Sequence, residues 1–390
     1  MDRNLHTKFV EFSREIFGED FIPLHRPVFE GNERQYLVDC IDSNFVSSVG
    51  EKVTLFEERI AEFTGSKYAV ATVNGTAALH VALKLAGVAR GDEILSQSLT
   101  FIATCNAISY TGAHPVFVDV DLDTMGMSPV ALRRFLEAHA EKKNGQAFNK
   151  TSGRRIAACV PMHTFGLPCR IKEIATICGE WGMSLIEDAA ESLGSYVSDR
   201  HTGTFGEIAT LSFNGNKVIT TGGGGMLITD SEELAARAKY LTTTAKVPHP
   251  YKFVHDEVGY NYRMPNLNAA LGCAQIERLT EFLSIKSALA ERWAGFFESH
   301  GVKFARAEGS NKANHWLNAI VLDSKSDRDE FLEYTNENGV MTRPAWNLMS
   351  SLVMFKDCQS DGLENSIWLQ DRVVNIPSSV PDGALTKFDN

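Results

Sequence analysis

Short apolar runs alternate with helical patterns along much of the chain. Residues 68–73 form a β-rich run, followed by Asn74-Gly75-Thr76 and by an apolar helical pattern over 77–86. Strand patterns at 93–97, 115–119, 156–161 and 184–187 alternate with helical patterns at 101–110, 129–142 and 171–181. Parallel neighbours need a crossover connection, usually a helix. Repeated strand–helix–strand units therefore predict a mostly parallel α/β sheet covered on both faces. Runs at 209–213 and 225–229 complete this larger unit.

The pattern changes near Pro265. A helical stretch, broken or continuous, covers 267–300, followed by a strand at 318–322, a helix at 328–338 and a strand at 373–376. That is the pattern of a smaller α+β unit. The expected division is a large α/β domain over 1–264, including an N-terminal extension over 1–22, and a small C-terminal α+β domain over 265–390. Residues 143–153 are polar, contain Gly145 and Gly153, and read as a surface loop.

Composition narrows the function classes. Hydrophobic residues at 44% and charged residues at 22% fit an ordinary soluble globular protein. No run approaches the ~20 apolar residues of a membrane span, and the N-terminus lacks the apolar segment of a secretory signal. The formal net charge of −11 argues against a duty on nucleic acid. It leaves room for an anionic small substrate, because helix N-termini and local basic groups bind phosphate within acidic proteins. The seven cysteines, at 40, 105, 159, 169, 178, 273 and 358, form no C-x-x-C pair, so free thiols in a reducing, cytoplasmic setting are expected. No metal site is implied.

Three segments carry chemistry. Asn74-Gly75-Thr76 stands at a strand-to-helix junction, where free amides make an anion site; alone, it reads equally as a simple N-cap. Leu185-Ile186-Glu187-Asp188 is an apolar strand ending in two carboxylates, where open α/β sheets place their ligand crevice. Ser212-Phe213-Asn214-Gly215-Asn216-Lys217 ends a later strand and leads to Thr220-Thr221-Gly222-Gly223-Gly224-Gly225. No Gly-Lys-Ser/Thr closes a P-loop spacing there. A phosphate cradle, a strand-end acid and a lysine, in this order in one α/β domain, are the groups that a pyridoxal-phosphate site needs.

These segments, with Val49-Gly50, Phe56-Glu57, 100–104, 116–121 and Gly259-Tyr260-Asn261-Tyr262-Arg263-Met264, resemble the DegT/StrS-type nucleotide-sugar aminotransferases from Pro23 to about Pro377. The resemblance implies a fold-type I architecture and pyridoxal 5'-phosphate as cofactor. It implies Lys217 as the Schiff-base lysine, Asp188 against the ring nitrogen, Gly75, Thr76 and Ser212 on the phosphate, and Phe101 against the ring. Asn261 would reach the phosphate site of a neighbouring subunit in a homodimer, and His163 would line the pocket. Arg26, Arg343 and Trp346 are the expected sugar-nucleotide contacts. Glu191 stands where the family usually has glutamine, and Gly222-Gly223-Gly224-Gly225 where it usually has Gly-Glu-Gly-Gly. Both departures are similar to the branch that makes bacillosamine- and legionaminic-type sugars, which implies a UDP-linked 2-acetamido-4-keto-6-deoxy sugar as acceptor and glutamate as donor. A sugar dehydratase on the same fold carries histidine in place of the lysine, so Lys217 argues against it. A non-catalytic sugar-nucleotide binder would be favoured by loss of Lys217 or Asp188, and both are present.

Overall fold

The computed structural model describes residues 3–384. Met1, Asp2 and 385–390, which the expected division assigns to the domain ends, lie outside the described residues. Three helices come first: α1 (Arg3–Phe17), α2 (Glu33–Asp42) and α3 (Glu51–Thr64). The chain then runs through β1 (Tyr68–Thr72), α4 (Gly75–Leu85), β2 (Glu93–Gln97), α5 (Ile102–Tyr110) and β3 (His114–Val118). Next come α6 (Pro129–His139), β4 (Ala140–Lys143), β5 (Gln146–Asn149), β6 (Arg155–Val160), α7 (Ile171–Trp181) and β7 (Ser184–Asp188). A small ribbon, β8 (Tyr196–Val197) and β9 (Arg200–His201), precedes β10 (Ile208–Ser212), β11 (Gly225–Thr229) and α8 (Glu232–Thr242). The last third holds α9 (Asn266–Glu277), α10 (Leu279–Ser299), β12 (Lys303–Phe304) and β13 (Asn318–Val321). It ends with α11 (Lys325–Glu337), β14 (Arg343–Pro344), α12 (Glu364–Gln370) and β15 (Val373–Ile376).

The large sheet has the order β1-β11-β10-β7-β6-β2-β3, with the β4/β5 hairpin attached to β6. Every pairing from β10 to β3 is parallel, while β11 is antiparallel to both neighbours. Side chains alternate across the sheet. Ile94, Ile186 and Leu227 therefore meet α4, α5 and α8 on one face. Leu95 and Leu185 meet α6 and α7 on the other, beside the cluster that Met226 forms with α3 and α9. Burial on both faces explains why these strands read as apolar runs.

A second sheet, β12-β13-β15-β14, is wholly antiparallel. Helix α1 packs on it: Leu5, Phe9 and Val10 share a cluster with Trp293, Phe297, Phe331, Val374 and Ile376. The extension, expected with the large domain, thus buries its apolar stripe in the C-terminal unit. Two further expectations change. Helix α6 ends at His139, and residues 143–153 are not simply a loop, because β4 and β5 pair from Ala140 to Asn149. The 267–300 stretch is broken at Arg278 (φ −104°, ψ −1°) into α9 and α10. All seven cysteines are free, six of them buried. Among the described residues no helix is long and apolar enough to cross a membrane.

Candidate active site

The site assembles at the carboxyl ends of β1, β7 and β10. Asn74 is extended (φ −168°, ψ 168°), and its side-chain oxygen accepts the Ala77 N–H at 2.8 Å. It caps α4 from outside, while Gly75 and Thr76 open the helix N-terminus into a cavity of about 710 Å³. The first N–H groups of a helix have no partner within it, so the turn that caps the helix also leaves a cradle that could hold an anion. Ser212, at the end of β10, closes the cradle. A Cβ on Gly75 would lie 3.1 Å from the Ser212 Cβ. A Cβ on Gly225 would sit 2.4 Å from the Asn74 carbonyl carbon and 2.6 Å from the Gly75 nitrogen.

Strand alternation separates the two carboxylates of β7. Glu187 turns into the interior, where it accepts N–H groups from Gly203, Phe205 and Gly206 at 2.8, 2.6 and 2.7 Å. Asp188 lines the cavity, almost fully buried. Its Oδ2 accepts the Thr104 hydroxyl at 2.7 Å, and its Oδ1 accepts the Ala190 N–H at 3.2 Å. Burial raises the Asp188 carboxyl above its usual range, opposed by those bonds and by the Lys217 charge. A carboxylate held in this way suits a partner that brings its own proton.

Lys217 follows β10 in a turn closed by its N–H to the Asn214 carbonyl at 2.9 Å. Its Nζ lies 3.2 Å from Glu191 Oε1 and 3.7 Å from the Trp316 ring centroid. The other Glu191 oxygen accepts the Phe165 N–H at 2.9 Å. Burial pushes Glu191 up to about 7, with Asp188 adding to the rise and Lys217 and the Phe165 N–H opposing it.

Of the residues expected from sequence, Gly75, Thr76, Phe101, Asp188, Glu191, Ser212, Lys217, Arg343 and Trp346 all line this cavity. Phe101 and Trp346 face each other with centroids 6.2 Å apart. Three do not. His163, expected on the pocket wall, is fully buried behind Asp188, with Nε2 3.0 Å from Glu187 Oε2 and its N–H on the Asp188 carbonyl at 3.2 Å. The Cys169 N–H points at its Nδ1 (3.2 Å), which leaves the ring proton on the nitrogen facing Glu187. Arg26, expected at the sugar nucleotide, turns away to an ion pair with Asp382. Asn261 is exposed and lies outside the cavity of its own chain, bridging to Thr243. Sequence reasoning missed Leu24, Trp316 and Asn375, which close the cavity from the N-terminal strap and the small unit. Only Asn375 left a trace, as one amide inside the apolar run Val373-Val374-Asn375-Ile376.

Known proteins share this architecture. EpsN of Bacillus subtilis, named as a candidate pyridoxal phosphate-dependent aminotransferase, is 36% identical over 335 residues, 86% of this chain and 84% of its own length. A GDP-perosamine synthase of Vibrio cholerae is 33% identical over 360 residues, covering 92% of this chain and 94% of that protein. The crystal structure of the aminotransferase TlmJ from Streptoalloteichus hindustanus superposes with a TM-score of 0.82 at 25% identity, over 91% of this chain and 93% of that one. The DegT/DnrJ/EryC1/StrS aminotransferase family pattern matches residues 27–382. With its fold-type I architecture and a lysine and an aspartate on one cavity, the chain belongs to the DegT/DnrJ/EryC1/StrS aminotransferase family.

Proposed function

We propose that this protein uses pyridoxal 5'-phosphate to move an amino group from glutamate to the keto carbon of a nucleotide-linked sugar, in cytoplasmic synthesis of amino sugars for surface glycans. One observation carries the reading: Lys217, Asp188 and the Gly75–Thr76–Ser212 cradle open onto a single cavity. The cradle, narrow enough that a methyl at Gly75 would crowd Ser212, fits a phosphate bound by backbone N–H groups. When bound, the cofactor supplies an aldehyde that an amine can hold and a ring that accepts electrons from the reacting carbon.

The chain's own groups do the rest. Lys217 Nζ would hold the cofactor and, once free of it, would move the proton at the reacting carbon. Asp188 would keep the ring nitrogen protonated. Gly75, Thr76 and Ser212 bind the phosphate, joined in a homodimer by the partner subunit's Asn261. Phe101, on the cavity wall, would pack against the ring. Arg343 and Trp346 stand at the cavity wall toward the sugar nucleotide. The acceptor we infer is a UDP-linked 2-acetamido-4-keto-6-deoxy sugar, from the two departures at Glu191 and Gly223. A GDP-linked sugar is the second acceptor to consider, because the chain aligns along nearly its whole length with a GDP-perosamine synthase.

The test is a pair of half-reactions on the yellow, cofactor-loaded protein. Glutamate should bleach the visible band, and a keto sugar nucleotide from a panel of UDP- and GDP-linked compounds should restore it, with the amino sugar seen by mass spectrometry. Recovery with amino-acid-type keto acids alone would assign the enzyme to another aminotransferase class.

A further inference from the structure

The cavity wall supplied by the small unit holds a polar group that the reaction above leaves unused. Along β15, Val374 and Ile376 turn toward α1, α10 and α11. Side chains alternate along a strand, so Val373 and Asn375 turn the other way. Val373 joins Ala319, Val321 and Trp346, and Asn375 lines the cavity. All of β15 is buried. Its Asn375 Oδ1 is sealed from water and has no hydrogen-bond partner. Buried polar side chains in folded proteins are almost always bonded, and one that is not calls for an explanation.

The neighbours show why the protein itself leaves this atom unpaired. Asn375 sits opposite Ala319 on β13 and Arg343 on β14. Ala319 offers only a methyl group. Arg343 is turned to the Asn336 side-chain oxygen and the Thr342 carbonyl, each at 2.9 Å. Asn375 lines the cavity, and a half-turn of its amide about χ2 exchanges the two ends and brings the oxygen to that side.

We infer that Asn375 reads the acceptor sugar, its amide bonding a ring hydroxyl or acetamido N–H when the sugar fills the cavity; this rests on the nucleotide-sugar reading above. The unpaired atom is a carbonyl oxygen, which requires a donor. The carboxylates of glutamate offer none at neutral pH, and its one donor, the ammonium, is the group that must go to the cofactor, so the amino donor is the poorer match. A hydroxyl both donates and accepts and so suits either end of the amide. Arg343, beside it on the same wall, brings positive charge to the anionic end of the same ligand. An amide and a guanidinium side by side fit a sugar joined to phosphate. A site that bonds a substrate hydroxyl rejects the analogue lacking it far more strongly than an apolar pocket rejects an added group.

The test separates the two half-reactions in Asn375→Leu, which keeps the bulk and removes the polar atoms. Bleaching by glutamate and recovery with the keto sugar nucleotide that wild type uses are followed in single turnovers, at concentrations below saturation. We expect recovery with sugar to slow at least tenfold more than bleaching by glutamate. Without ligands, the leucine variant should melt no lower than wild type, because an unsatisfied polar atom has left the interior. Asn375→Ala should show the same selective loss, and it keeps the test standing if leucine does not fold. A lower melting point with both half-reactions slowed alike would make the amide structural and overturn the inference. A loss concentrated in the glutamate step would assign Asn375 to the amino donor, and also overturn it. If no sugar nucleotide restores the band in wild type, the reading of the function has failed before any variant is made, and this inference falls with it.

Discussion

At the scale of single residues, Glu191 is the most informative departure from the family pattern. Like charges meeting at the cofactor would demand either a protonated Glu191 or an intervening partner, and Lys217 supplies the partner at 3.2 Å. Burial still raises the carboxyl to about 7. In the folded chain it therefore holds a proton that the unfolded chain releases at lower pH. Its contribution to stability is full below the ordinary carboxylate range and is lost as pH rises through about 7. Glu191→Gln removes that dependence. Between pH 5 and 8 the melting temperature of cofactor-free wild type should fall relative to the variant, and the pH at which the visible band changes should shift in the loaded protein. Parallel melting curves would mean that Glu191 titrates outside this window. That Lys217 and Asp188 would meet on one cavity was legible from sequence, because their residue types fall at strand ends in a fixed order. Arg26 and His163 were misread because their partners, Asp382 and Glu187, are set by the fold, in the first case from the far end of the chain. Asn375 left only the trace of an amide in an apolar run, which does not reveal which of its faces meets a cavity.

At the scale of elements, the turn between β10 and β11 shows how close two strands must come to build the cradle. The four glycines at 222–225 look interchangeable in sequence, but their surroundings differ. At Gly225 an added Cβ would meet backbone at 2.4 Å, whereas at Gly223 its nearest neighbour is the Val73 carbonyl oxygen at 3.9 Å. Gly225→Ala should therefore cost about 1–3 kcal/mol through overpacking, and weaken cofactor binding by forcing the Asn74–Gly75 turn aside. Gly223→Ala should stay within about 0.5 kcal/mol of wild type. Denaturant midpoints and cofactor titrations on both variants check the contrast, and equal losses at the two positions would refute it. The same reasoning explains a missed element. Asn144 (φ 52°) and Gly145 (φ 81°) are a two-residue hairpin turn of the type that Asn-Gly favours. The signal was present in sequence, but the surrounding polarity made it look like a loop. The βα alternation was legible because crossover helices and apolar strands repeat. The packing of α1 was not, because an amphipathic helix does not name the core that it will cover.

At the scale of the whole molecule, the cavity needs more than its own large unit. Trp316, Arg343, Trp346 and Asn375 reach it from the small unit, and the proposed homodimer adds a third contribution. Several large apolar side chains lie open, among them Ile41, Phe45, Tyr251, Phe253 and Val258, at 57–82% exposure. Where such residues adjoin one another they mark interaction surfaces. The segment before α9 passes close to the cradle, with the Val73 N–H on the Tyr262 carbonyl at 2.8 Å, yet Asn261 stays out of its own cavity. A side chain placed beside the site but not in it suits a second copy related by a twofold axis, since such an interface offers each residue to the other's site. Lys217→Ala and Asn261→Asp should each be inactive alone, the first lacking the amine and the second placing a carboxylate against a phosphate. In a mixed dimer, one site then carries both defects and the other carries neither. Random exchange of equal amounts makes about half the dimers mixed, so activity should recover to about one quarter of wild type. Exchange is verified by mass spectrometry on differently tagged subunits before turnover is measured. No recovery after verified exchange, or full turnover by a species that sediments as a monomer, would remove the shared site.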